Sequence, residues 1–179
     1  MKMLNTIIRK IKRIMANRSH ESRLRYLNKL GCVVGKGTRF MNFPEMCEPY
    51  LVEIGEDCAF STHVHFITHD GGVKVLNTLG FFGNKKMDKM ARIKIGNNCM
   101  VGTNCFIHGG VTIGNNCIIG ACSVVTKDIP DGMVAAGIPA KVICTIEEYY
   151  EKNLSKGNFY DTTGMNSREK REYLSKHVI

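Results

Sequence analysis

A chain of 179 residues carrying a net charge of +9, with 44% hydrophobic residues, is long enough to bury one sizeable core and gives little reason for a second domain. No apolar run approaches the roughly 20 residues of a membrane-spanning helix. The N-terminal stretch alternates basic with apolar residues instead of running a continuous apolar segment, which argues against a signal peptide and for an intracellular, cytoplasmic protein.

The charge is concentrated at the start. Residues 1–30 hold nine basic residues against Glu21 alone, a net of +8, which leaves +1 for all the rest. Leu4, Ile7, Ile8, Ile11, Ile14 and Met15 recur at three- and four-residue steps, so residues 1–30 are expected to form a basic amphipathic helical segment. The plainer expectation is a helix packed on the end of the domain with its charges solvated. The sharper one is peripheral contact of residues 1–16 with an anionic inner-membrane surface. Nucleic acid is not expected as a partner, because neither a motif nor interleaved aromatics accompany the charge.

From residue 31 to 145 the pattern changes. Ile95, Val101, Ile107, Ile113, Ile119 and Val125 return every sixth residue, and the same beat sounds earlier at Ile54, Phe60 and Phe66. A period of six fits neither a helix nor plain alternation, but it marks stacked β-helix repeats. Three hexapeptides close one triangular coil, and each coil buries its apolar column only against its neighbours, so an all-β, prism-shaped parallel β-helix is expected.

Eight cysteines raise the question of zinc or disulfides. Cys58, Cys99, Cys105 and Cys117 each stand four residues after a repeat-opening residue, a slot filled elsewhere by Val111 and Ser123. Such a slot selects for small volume, so these thiols are read as free, small core residues in a reducing compartment. Gly96, Gly102, Gly114 and Gly120 and the Asn pairs at 97–98 and 115–116 are assigned to corners that require positive φ.

The beat breaks once. Phe66 and Ile95 are 29 residues apart, one short of five repeats, so residues 70–92 must leave the prism as a loop. Its basic and apolar content suits an arm covering a groove on its own or a neighbouring subunit. After residue 145, Ile146-Glu-Glu-Tyr-Tyr-Glu-Lys begins a helical segment and Ser167 to His177 reads as a second helix, giving a C-terminal helical cap over 146–179.

The run from Ile95-Gly-Asn-Asn through Val111-Thr-Ile-Gly-Asn-Asn and Ser123-Val-Val-Thr-Lys-Asp-Ile-Pro to Ala135-Ala-Gly-Ile-Pro-Ala-Lys-Val-Ile resembles the hexapeptide-repeat acyltransferases, nearest the maltose and galactoside O-acetyltransferase branch. The Thr-His-Asp-Gly-Gly segment and the Thr-Ile-Glu-Glu-Tyr tail are similar to members that modify bacterial surface polysaccharides. The resemblance implies a left-handed β-helix, a homotrimer, acetyl-CoA as donor, a sugar or nucleotide-sugar acceptor, and no metal. It also implies His69, at the root of the loop, as catalytic base, a role that suits imidazole near neutral pH. Asp70 is a candidate orienter of that ring, but neighbouring side chains on a strand diverge, so a backbone carbonyl is the alternative. Asp70 and His108 are the candidate acceptor contacts. Thr103 and Ala121 match positions along the pantetheine arm; Thr126, Lys127 and Lys141 match positions near its phosphate end. Cys144 stands where relatives often carry another basic residue. Three alternatives stay open: N-acetylation of a nucleotide-linked amino sugar, a non-catalytic scaffold, and a three-His zinc enzyme of the γ-carbonic-anhydrase kind drawing on His63, His65 and His108.

Overall fold

Strands of two or three residues, joined at three corners, wind into stacked triangular coils. The structure is a computed structural model and describes residue 14 and residues 18–178. The amphipathic pattern of residues 4–15 and the proposed membrane contact of residues 1–16 thus lie, Ile14 apart, outside the described residues. Helix α1 (His20–Lys29) comes first; the Ser19 side chain caps it by accepting from the Ser22 N–H, and Leu27 is fully buried. The first coil is β1 (Val33–Val34), β2 (Arg39–Phe40) and β3 (Glu45–Met46). The second is β4 (Val52–Ile54), β5 (Ala59–Phe60) and β6 (His65–Ile67). An excursion carrying α2 (Val73–Thr78) follows. The third coil is β7 (Ile93–Ile95), β8 (Met100–Val101) and β9 (Phe106–His108), and the fourth β10 (Thr112–Ile113), β11 (Ile118–Ile119) and β12 (Val124–Val125). A hairpin, β13 (Met133–Gly137) with β14 (Ala140–Thr145), closes the series.

Corresponding strands pair in parallel, giving sheets ordered β1-β4-β7-β10, β2-β5-β8-β11-β13-β14 and β3-β6-β9-β12, with only the last hairpin antiparallel. The six-residue beat becomes three apolar columns: Ile54, Ile95 and Ile113; Phe40, Phe60, Val101 and Ile119; Phe66, Ile107 and Val125. All of these are buried, and Phe40 and Phe60 stack with centroids 4.7 Å apart. The third and fourth coils are offset by eighteen residues, as in Ile95 against Ile113. The first is offset from the second by twenty, as in Phe40 against Phe60. The two extra residues enter the corner after β3, where a 3-10 turn, Pro49–Leu51, widens the bend.

The corners revise two expectations. Positive φ falls on Asp57, Asn98 and Asn116 in one corner column and on His63, Asn104 and Cys122 in the next, whereas none of Gly96, Gly102, Gly114 and Gly120 adopts it. Those glycines are needed because the coils approach too closely for a Cβ: at Gly102 it would sit 2.5 Å from the Ala121 nitrogen, at Gly96 2.7 Å from the Gly114 carbonyl carbon. The thiols, for their part, are more than small apolar groups. Cys58, Cys99, Cys105 and Cys117 each donate to a corner carbonyl, of Gly96, Gly114, Gly120 and Pro130 respectively, at 3.0–3.1 Å. Thr38 fills the same role in the first coil, donating to the Gly55 carbonyl at 2.7 Å. Corner carbonyls that miss the strand ladders need such partners. The Cys58 contact and burial raise the Cys99 pKa, and burial raises that of Cys105, which keeps both as S–H donors.

The excursion is ordered within itself. An antiparallel neck ties the Asp70 N–H to the Lys89 carbonyl and the Ala91 N–H to that of Thr68, and the Asn77 amide clamps the Met87 backbone from both sides. The excursion between Asp70 and Ala91 is therefore a helix-bearing arm in place of a plain loop. The chain divides into two compact units, Met1–Ile146 and Glu147–Ile179. Helix α3 (Ile146–Ser155) and helix α4 (Ser167–His177) account for most of the second, and a reciprocal capping box between Asn166 and Glu169 starts α4. Among the described residues no helix is long and apolar enough to cross a membrane.

Candidate active site

The candidate side chains stand along the edge that follows the third strand of each coil. Glu48 comes from the widened corner of the first coil, His69 from the corner of the second and His108 from the end of β9 in the third, while Thr126 follows β12, the strand paired with β9. His69, Asp70 and His108 line one cleft of about 430 Å³ against the neck of the excursion, with Lys89 and Met90 on its far wall.

Within it His69 has a defined partner. Its Nδ1 lies 3.0 Å from Glu48 Oε2, an oxygen that also accepts from the Thr68 hydroxyl. Thr68 is buried and the Glu48 side chain only 15% exposed, whereas the imidazole is 44% exposed and faces solvent. Burial on its own would raise the Glu48 pKa, but the hydrogen bonds from Thr68 and His69 and the attraction of the ring hold it below its usual range. A carboxylate can only accept, so Nδ1 carries the proton and the neutral ring keeps its lone pair on Nε2.

Neither sequence-derived candidate for orienting His69 does so. Asp70 turns away: its Oδ1 accepts from the Gly72 N–H at 2.8 Å and its Oδ2 from Lys89 Nζ at 2.7 Å. The Lys89 hydrogen bond, then that of Gly72, lowers its pKa. Asp70 and Lys89 thereby lock the root of the arm and shape the cleft wall. Among the described residues no backbone carbonyl serves His69 either; Glu48 takes that place. Its signal was present in the sequence, since Met46 to Ile54 is a step of eight where the repeat calls for six.

The positions matched to the donor fall into separate groups. Thr103 and Ala121 occupy the corner between the second and third sheets, where the Cys122 N–H donates to the Thr103 carbonyl and the Thr103 and Ser61 hydroxyls are 2.6 Å apart. Thr126 and Lys127 are exposed at the corner column of His69, and Lys141 is exposed on the closing hairpin opposite Ala136. Among the described residues neither lysine forms an ion pair, so both cations are available to an anionic ligand. Within one chain, then, the His69 corner and the Thr103 corner are different edges of the prism.

The three histidines of the zinc alternative are dispersed. His63 occupies the Thr103 corner column with φ of 56°, His65 stacks on Phe106 at 4.4 Å, and His108 faces the cleft. The grouping of metal-ligating side chains present among the described residues is Cys47, Glu48 and His69.

Residues 92–127 match the bacterial transferase hexapeptide (six repeats) family. Over 153 residues the chain is 43% identical to Protein CapG of Staphylococcus aureus, an alignment spanning 83% of this chain and 84% of that protein. Over 65 residues it is 52% identical to the galactoside O-acetyltransferase of Escherichia coli (strain K12), which covers 34% of this chain and 32% of the relative. A crystal structure of a maltose O-acetyltransferase from Clostridium difficile 630 superposes with a TM-score of 0.56 at 25% identity, covering 76% of this chain and 83% of that one. A galactoside acetyltransferase in complex with coenzyme A gives 0.55 at 26% identity, covering 79% and 80%.

Proposed function

The chain belongs to the bacterial hexapeptide-repeat transferases, with their left-handed parallel β-helix, and on that premise we propose that it is an acetyl-CoA-dependent O-acetyltransferase acting on a sugar hydroxyl. Galactoside and maltose O-acetyltransferases among its relatives support both the acyl group and a sugar acceptor, which we assign to the synthesis of bacterial surface polysaccharide. The observation that carries the chemistry is the Glu48–His69 pair at the cleft.

His69 Nε2 takes the hydroxyl proton as the acceptor oxygen attacks the thioester carbon, and gives it to the thiolate that departs when the carbon–sulfur bond breaks. Glu48 fixes the ring tautomer and stabilises the imidazolium that forms in between. His108, across the same cleft, is in position to hold the acceptor, and Asp70 with Lys89 keeps the wall in shape. The donor fits the available chemistry: Lys127 and Lys141 supply cations without ion-pair partners for its phosphates, and the Thr103–Ala121 corner supplies hydroxyl and peptide groups for its amide-bearing arm.

Because His69 and Thr103 lie on different edges of one prism, a complete site needs a second copy, and a homotrimer with a site at each seam meets that need. The arm supports the same arrangement, since Leu79 and Phe81 stand exposed on it and would be covered at a seam.

Release of coenzyme A thiol from acetyl-CoA, followed over hexoses and amino sugars with mass spectrometry of the product, tests the reading. His69→Ala is expected to lower the rate by about 10²–10⁴-fold while leaving the assembly intact. Full activity in that variant would remove His69 as base, and no thiol release with any sugar would overturn the proposed reaction.

A further inference from the structure

Beside the proposed base stands a thiol that acetyl transfer does not use. Cys47 Sγ, a Glu48 carboxylate oxygen and a His69 ring nitrogen all lie within 4.8 Å of one another. We propose that these three side chains bind a divalent cation of the Zn2+ class and that its occupancy switches the transferase off. The site stands on geometry alone; the switching rests on the assignment of His69 as base.

The donor set selects the ion. One sulfur, one imidazole nitrogen and one carboxylate oxygen suit zinc, whereas Mg2+ and Ca2+ take oxygen ligands. Tetrahedral zinc with bonds of about 2.0–2.3 Å sets its ligand atoms about 3.3–3.8 Å apart. Glu48 and His69 are already 3.0 Å apart, so they need only spread slightly to admit the ion. Cys47 is exposed, and its Sγ, within 4.8 Å of both other ligand atoms, stands at most about 1 Å beyond the tetrahedral spacing. Two of the ligands are adjacent on the widened corner of the first coil and the third comes from the coil beneath, so the prism holds them together. Three protein ligands leave a fourth position open to water.

Occupancy disables the base whichever ring nitrogen binds. A metal on Nε2 consumes the lone pair that would accept the hydroxyl proton. A metal on Nδ1 displaces the proton there, and the one proton of the neutral ring must then reside on Nε2, which becomes a donor. In both cases Glu48 turns from orienting the ring to ligating the ion. No bond is made or broken in the substrates, and chelation restores the starting state.

The test uses full-length, tag-free, chelator-treated protein. Cobalt(II) is added as a spectroscopic stand-in, and zinc affinity is measured by competition. One cobalt per chain is expected to give a near-ultraviolet thiolate-to-cobalt charge-transfer band that zinc abolishes. Cys47→Ser should lose the band and weaken zinc binding by roughly tenfold or more, since the loss of even an outer partner of a metal site costs 10–100-fold. Metal-free Cys47→Ser should transfer acetyl groups at the parent rate but need at least tenfold more zinc for half-inhibition. Absence of the band, or equal zinc affinity in parent and Cys47→Ser, overturns the site. Zinc bound through Cys47 without inhibition overturns the switch. If His69→Ala keeps its acetyltransferase activity but loses the cobalt band, the base assignment and the switch fail together and the metal site stands.

Discussion

A single carboxylate oxygen, Glu48 Oε2, accepts both the His69 Nδ1–H at 3.0 Å and the Thr68 hydroxyl, so a side chain of the first coil fixes a ring of the second. Thr68 is fully enclosed and holds the carboxylate from behind. The exposed ring acquires a set orientation without being buried itself.

Replacing Glu48 with Gln keeps the shape but allows the amide to present N–H to the ring, favouring the wrong tautomer. Steady-state kinetics should show kcat reduced by about 10–10³-fold with KM for both substrates within about twofold. Unchanged kcat would mean that the ring is oriented by something else.

The same carboxylate ties stability to pH. Its folded pKa lies below the unfolded value of about 4.3. Its contribution is therefore complete above that value and disappears as the pH falls through the lowered folded pKa. Denaturant unfolding should find the parent more stable than Glu48→Gln at neutral pH and the gap closing in acid. A gap that widened on acidification would contradict the assigned hydrogen bonds.

Thiol accessibility should follow the corner slots. Cys32, Cys58, Cys99, Cys105 and Cys117 are buried, and burial pushes the Cys32 pKa up to about 12. Cys47 and Cys122 are exposed and Cys144 is half-buried. A chromogenic disulfide reagent should titrate no more than these last three in the native protein and all eight in denaturant. Rapid reaction of five or more native thiols would mean that the coils are not stacked as described.

Glycine substitutions separate close approach from turn geometry. Gly102→Ala places a methyl 2.5 Å from the Ala121 nitrogen and should cost about 1–3 kcal/mol by denaturant unfolding. Gly71→Ala meets nothing within 4 Å and has no positive φ, so its unfolding midpoint should barely move. Equal effects at the two positions would refute steric contact between coils as the reason for Gly102.

Periodic features were the legible ones. The beat at Ile95, Val101 and Ile107 reports burial directly, because each of those side chains enters the core. His69 stands where that beat stops, the place to which the family resemblance assigns a base. Glu48 escaped notice because its evidence is a spacing of eight in the first coil, where Val34 and Met46 are only half-buried and mark the beat faintly. Positive φ at Asn98 and Asn116 follows the tolerance of asparagine for that conformation, whereas Cys122 carries no such mark and the glycines that do are reserved for close contact between coils. That His69 and Thr103 stand on different edges of the prism follows from the winding of three strands per coil.

The twenty-residue first turn also makes catalysis a sentinel for the amino-terminal end. The partner of His69 hangs from the outermost turn, beneath α1 and its anchor Leu27, so under the proposed mechanism peeling back that one layer would extinguish the chemistry while the inner turns remain wound. On gradual heating, turnover should fail before the spiral melts, and loosening the anchor with Leu27→Ala should widen the interval between the two temperatures.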